Sequence, residues 1–300
     1  MATYIPLLQQ VVDCAAPIQG QKRLPTAVTT RVLERANLST NFPRSFTLGD
    51  GITSVLEDQL SKLDQALVDP NLTREAFLHL INTVTNLSNQ YQGQNLGMKE
   101  LSNMHGDVYI TPLNTFLRTR HLGDVLKFGD DHPEPRSWVK GGIQFLTNQW
   151  VLRHTTKKGQ EQPLACVWEQ SVLTVPLATF DNIRRAIGLD LVSMDARGHV
   201  KVVNHYSLVG DERRIERILE VMWTKLATLQ IRLGLLTTHE RSLLFFMNNG
   251  RVEVSRVFSK NEGAVTGTLD GVLPLFVALS TLTPLHYLVE AGGPVRALAD

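Results

Sequence analysis

The sequence predicts an α/β fold of the α+β kind: a mixed sheet flanked by helices, preceded by a helical N-terminal region. Three observations predict it. Apolar residues recur at helical spacing through the first hundred positions, short strand-like runs cluster between residues 143 and 175, and an amphipathic segment at 212–233 leads into a hairpin signature. The chain has 300 residues, 43% of them hydrophobic, enough for one large domain or two modest ones without covalent staples.

In the N-terminal region, Ser54 and Glu57 form a capping box opening a helix from Val55 to Leu67, with Leu56, Leu60, Leu63 and Leu67 on one face. Asp69-Pro70-Asn71 breaks it. The next helix runs from about Thr73 to Tyr91, its stripe made by Phe77, Leu78, Leu80, Ile81, Val84 and Leu87. Residues 1–107 are therefore expected to be a helical region packed on a core at 108–262. Phe128 to Lys140, with two prolines and clustered charges, reads as an exposed loop.

Strands are expected at Ile143–Leu146, Trp150–Leu152, Leu164–Trp168, Val172–Val175 and Val200–Val203, with Gly159 in the turn between the second and third. Glu212 to Leu233 reads as a helix with Ile215, Ile218, Leu219, Met222, Leu226, Leu229 and Leu233 inward, and Gly234 as its C-cap. Asn248-Asn249-Gly250 joins Ser242–Met247 to Arg251–Phe258 as a hairpin, because Asn-Gly supplies positive φ angles. A helix from Leu269 to Leu282 begins the C-terminal segment, 263–300.

Composition bounds the function. Lys and Arg total 30 against 29 acids, a net +1 that argues against a polyelectrolyte surface. Basic residues do outnumber acidic ones between 117 and 158, enough for weak nucleic-acid attraction. Two cysteines, Cys14 and Cys166, without a CxxC argue against thiolate zinc and a disulfide framework. The N-terminus lacks a basic n-region, and the apolar stretch 271–289 is broken by polar residues and prolines; both point to an intracellular chain, cytoplasmic or nuclear, with no membrane span. Glycine-rich phosphate loops, nucleophile elbows and HExxH are absent, and the nine histidines show no metal-ligand pairing. Asp124, Asp130, Asp131, His132 and Glu134 could hold Mg²⁺, though their proline-rich setting reads as a solvated acidic loop.

Two segments carry a resemblance: 146–171 (LTNQWVLRHTTKKGQEQPLACVWEQS) and 221–255, where Gly234-Leu235-Leu236-Thr237-Thr238-His239-Glu240 and Val254-Ser255 stand out. They resemble the PD-(D/E)XK restriction-endonuclease-like domains of fungal proteins, including those beside fungal-type protein kinase domains. The resemblance implies a restriction-endonuclease-like mixed sheet over about half the chain. In that family a Pro-Asp opens one strand and Glu-x-Lys ends the next. Two carboxylates hold Mg²⁺, which activates water, and the lysine stabilises developing charge.

Aligned to that pattern, Asn148-Gln149 stands at Pro-Asp and Glu169-Gln170-Ser171 at Glu-x-Lys. Glu169 is retained, whereas Gln149 supplies no anionic ligand and Ser171 no cation. The implied site is degenerate, with Lys225 and Gln230 as auxiliaries from the following helix, although Lys225 fits a solvated helix position better. Glu169 would ligate Mg²⁺ only if a site persists; otherwise it could be buried with a raised pKa or paired with Arg153. The expectation is a pseudo-nuclease without a cofactor, acting as an interaction or regulatory module through a protein partner or self-association. The alternatives are a Mg²⁺-dependent nuclease with displaced catalytic residues and a structural homo-oligomer without a nucleic-acid role.

Overall fold

Alternating apolar residues and turn-forming breaks give the chain nine strands and two longer helices among its described residues. The computed structural model describes residues 45–54, positions scattered between 78 and 114, and 126–130, 149–155, 161–170, 172, 174–195, 199–229, 231–238, 240–248 and 250–259. The strands are β1 (Ser45–Leu48), β2 (Leu126–Asp130), β3 (Gln149–Thr155), β4 (Glu161–Glu169), β5 (Val192–Met194), β6 (Val200–Val202), β7 (Leu233–Thr237), β8 (Arg241–Asn248) and β9 (Arg251–Ser259). The helices are α1 (Leu177–Gly188) and α2 (Glu212–Leu229).

Seven strands form one sheet in the order β1-β9-β8-β7-β4-β3-β2. Two antiparallel meanders, β2-β3-β4 and β7-β8-β9, meet at a parallel seam between β4 and β7. The chain between them contains α1, the β5-β6 hairpin and α2. Parallel neighbours require such a crossover. The mixed α/β character expected from sequence is therefore present.

Both faces of the sheet are buried. On one, Val151, Cys166, Leu236, Leu243, Phe245 and Val254 pack against Phe180 and Ile183 of α1 and Ile215, Ile218, Met222 and Leu226 of α2. By strand alternation Leu152, Val167, Leu235 and Phe246 belong to the second face, and each is at most 4% exposed. The π-helical turn Gly106–Ile110 lies on that second face: a Cβ on Gly106 would come within 3.0 Å of the Trp150 ring.

Several expectations need correction. Gly234 is not a helix cap. Helix α2 stops at Leu229, and Leu233 and Gly234 open β7, whose five residues are all buried. A strand covered on both faces reads as a continuous apolar run, so its start merged with the helical period. Val172, Thr174 and Val175 form a turn and a bend rather than a strand, because Pro176 follows as the N-cap of α1. Helix α1 itself was not anticipated: its inner face mixes Thr179 and Asn182 with Phe180, Ile183, Ala186 and Ile187, which blurs the stripe. Residues 51–54 are already helical and the Ser54 amide donates to the Asp50 carbonyl at 3.1 Å, so Ser54 is not an N-cap. Phe128–Asp130, expected in a loop, complete β2, and Ser45–Leu48 gives the N-terminal region a strand, pairing parallel with β9.

The strands at 150–152, 164–168 and 200–202 and the hairpin at Gly250 (φ 76°) lie where expected. The described positions between 78 and 90 are helical, although Leu78, placed in the inner stripe, is 50% exposed. The expected strand at 143–146 and the helices at 55–67 and 269–282 lie outside the described residues. Among the described residues, no helix is long and apolar enough to cross a membrane.

Candidate functional site

Glu169 ends β4 and is completely buried. The parallel register sets it beside Thr237 of β7, and Thr237 pairs in turn with Ser242 of β8. Glu169, Thr237 and Ser242 thus form a polar row across three strands on one face, each at 0% exposure. The Ser242 hydroxyl donates to Thr237 Oγ1 at 2.8 Å. Beyond β4 the Gln170 amide donates to the Thr237 carbonyl at 2.9 Å, extending the seam past the carboxylate. Buried hydroxyls and carboxylates are costly unless polar neighbours compensate, so grouping them limits the cost.

Helix α2 brings Lys225 to this end of the sheet. Lys225 is 2% exposed, and its ammonium lies 5.8 Å from the Trp168 ring centroid, next in sequence to Glu169. A cation over an indole face is attracted by the ring's quadrupole. Lys225 is therefore not the solvated position that helical spacing favoured. The period placed it beside the buried face but could not tell a lysine lying on tryptophan from one reaching water.

Gln149 opens β3 in register with Trp168, one residue out of step with Glu169. A step of one exchanges the faces of a strand, so the implied pairing of Gln149 with Glu169 is not the register observed. Arg153 sits opposite Pro163, about 20 Å along the strands from Glu169 at the usual rise. That separation excludes it as the ion-pair partner. Ser171 and Gln230 lie outside the described residues, as does most of the acidic loop; Asp130 ends β2.

One acidic residue escaped the sequence reading. Asp107 lies in the π-helical turn that covers Trp150, on the same sheet face as Glu169. Burial raises its pKa above the ordinary 3.8, since desolvation disfavours the charged form. Nothing in the sequence marks a π-helical turn, which is an irregularity often found at functional sites. Among the described residues, no group of three or more His, Cys, Asp and Glu side chains is placed to hold a metal ion.

Gly234 to Thr237 of the phrase 234–240 lie in β7, and just beyond it the Thr238 amide donates to the Arg241 carbonyl at 3.0 Å. Ser255 has a local structural task. Its hydroxyl accepts the Leu244 amide at 3.0 Å where the β8-β9 register shifts between Leu243 and Phe245. Such an irregularity interrupts the backbone ladder, and a side-chain acceptor completes it. No protein-family model, curated protein or solved structure matches the chain.

Proposed function

We propose that the chain is a catalytically degenerate relative of PD-(D/E)XK nucleases that serves as a protein-interaction or regulatory module. The observation that carries this is the order of the core. An antiparallel meander β2-β3-β4 is followed by an amphipathic helix and a strand β7 parallel to β4, with Glu169 at the end of β4. That is the order a restriction-endonuclease-like domain would need. Against catalysis stand the neutral Gln149, its register with Trp168, and the complete burial of Glu169, because a metal-bound water must reach a phosphodiester to attack it.

The test is cleavage of duplex DNA, single-stranded DNA and RNA by the purified chain in Mg²⁺ and in Mn²⁺. No cleavage is expected. Divalent-dependent cleavage lost in Glu169→Ala would refute the proposal and support the second reading, a nuclease with displaced residues. One arrangement favours that second reading: Asp107 shares a sheet face with Glu169, an acid outside the usual motif positions, whereas Lys225 lies over Trp168 on the opposite face. Cleavage lost in Asp107→Asn as well, with Lys225→Met still active, would identify Asp107 as its second acid.

A further inference from the structure

The segment leading into α2 exposes three large apolar side chains within seven residues. Tyr206 is 89% exposed, Val209 85% and Val203 58%. The segment is not loose. Leu208 is fully buried beneath it, the Arg185 guanidinium donates to the Ser207 carbonyl at 2.8 Å, and the His205 ring accepts the Ser207 amide. His205 and Tyr206 also lie ring against ring at 4.4 Å. Val209 is held at φ 53°, in the left-handed region that disfavours a β-branched residue. A glycine there would relieve the backbone, and valine instead presents an isopropyl group to solvent. Backbone strain of this kind clusters at functional sites, and a surface already held in place loses less entropy on association.

The charge around this turn is divided by side. The acids of α2 face inward: Glu212, Glu216 and Glu220 accept the backbone amides of His205, Val202 and Val200. Asp211 is buried against Asn182 and Arg214. Arg213, Arg217 and Lys201 remain exposed. The exposed residues of the turn are therefore mostly apolar, and the exposed charges on the elements that flank it, β6 and the first turns of α2, are cationic.

We infer that this turn docks an acidic, apolar-bearing segment of a partner protein. Nucleic acid would satisfy the arginines and stack on Tyr206, but it offers nothing to the two valines. A second copy related by a two-fold axis would bring the same patch, with the same positive sign, against this one. The inference gives the interaction module its contact surface and rests on that reading for the existence of a partner. It does not involve Glu169, so nuclease activity would overturn the pseudo-nuclease reading and leave this surface to be judged by binding alone.

The probe is a short fluorescein-labelled peptide of glutamate, leucine and phenylalanine, titrated with the full chain by fluorescence anisotropy. Saturable binding that weakens with salt is expected. Tyr206→Ser, and separately Arg213→Glu with Arg217→Glu, should each weaken it by roughly tenfold or more, the loss typical of an anchor residue. Arg251→Glu, at the exposed start of β9, should leave it unchanged. Val209→Gly guards against misfolding, because it should raise the melting temperature while weakening the peptide. Four results would overturn the inference: no saturable binding, equal binding of a glutamine-for-glutamate peptide, binding indifferent to these substitutions, or displacement by oligothymidine showing that the face takes nucleic acid. Self-association that blocks the peptide and is abolished by Tyr206→Ser would assign the face to a second copy and overturn it too.

Discussion

Replacing Gly234 tests a close contact between α2 and the sheet. A Cβ built on Gly234 would lie 2.8 Å from Met222 Cε, 3.1 Å from Leu226 Cδ2 and 3.4 Å from Cys166 Sγ. The shortest approach is to the end of a flexible methionine, which can swing aside, so Gly234→Ala should destabilise by only about 1 kcal/mol, the low end for overpacking. Gly234→Val adds two more carbons against Leu226 and Cys166 and should cost about 3 kcal/mol. Urea unfolding measures both, with an unchanged m-value indicating that stability alone moved. Met222→Ala removes the obstructing methyl, so Gly234→Ala in that background should be nearly neutral, a coupling that a double-mutant cycle reads directly. A C-cap glycine in the left-handed conformation would also resist alanine, but without regard to residue 222. Absence of coupling would refute the packing of β7 on α2.

Three further outcomes are expected. Asp107→Asn should stabilise the chain at neutral pH and leave it unchanged well below pH 3.8: with the folded pKa raised by burial, the favourable contribution is complete below the unfolded value and is lost as pH rises through the folded one. Thermal melts across that range check the sign. Asp211→Ala should cost about 2 kcal/mol in urea, since it removes an acceptor for Asn182 and Arg214 at the entrance to α2. Glu216→Ala and Glu220→Ala should each cost about 1–2 kcal/mol by exposing an amide of β6, and hydrogen exchange should show protection falling first at Val202 and Val200 respectively.

What was legible in the sequence was whatever a single period could express. Helix α2 kept one apolar stripe over five turns, and the Asn-Gly turn fixed the β8-β9 hairpin. The losses came where two environments met. Leu233 satisfied the helical period and also begins β7, and Gly234 looked like a cap because a small residue serves equally for close packing. At the candidate site, spacing put Gln149 and Glu169 on successive strands but could not set the register, and a slip of one residue exchanges the faces. Lys225 was found by its place on the helix, yet its burial depends on Trp168 from a strand distant in sequence. Asp107 lay in a turn without a pattern of its own.

The parallel seam between β4 and β7 also orders the assembly of the molecule in time. Within the meanders, β7-β8-β9 and β3-β4 are joined by only a few residues and close small loops at little entropic cost. The seam is different: it forms only when β4 and β7 meet across a segment containing both helices and the small hairpin. Long-range pairing of this kind slows folding, and until it happens each meander carries an open edge at the strand that will become the middle of the sheet. Before the seam closes, β4 and β7 each present an unpaired edge, and α2, which lays Met222 and Leu226 over Gly234, is the element that covers one face of β7 in the finished sheet.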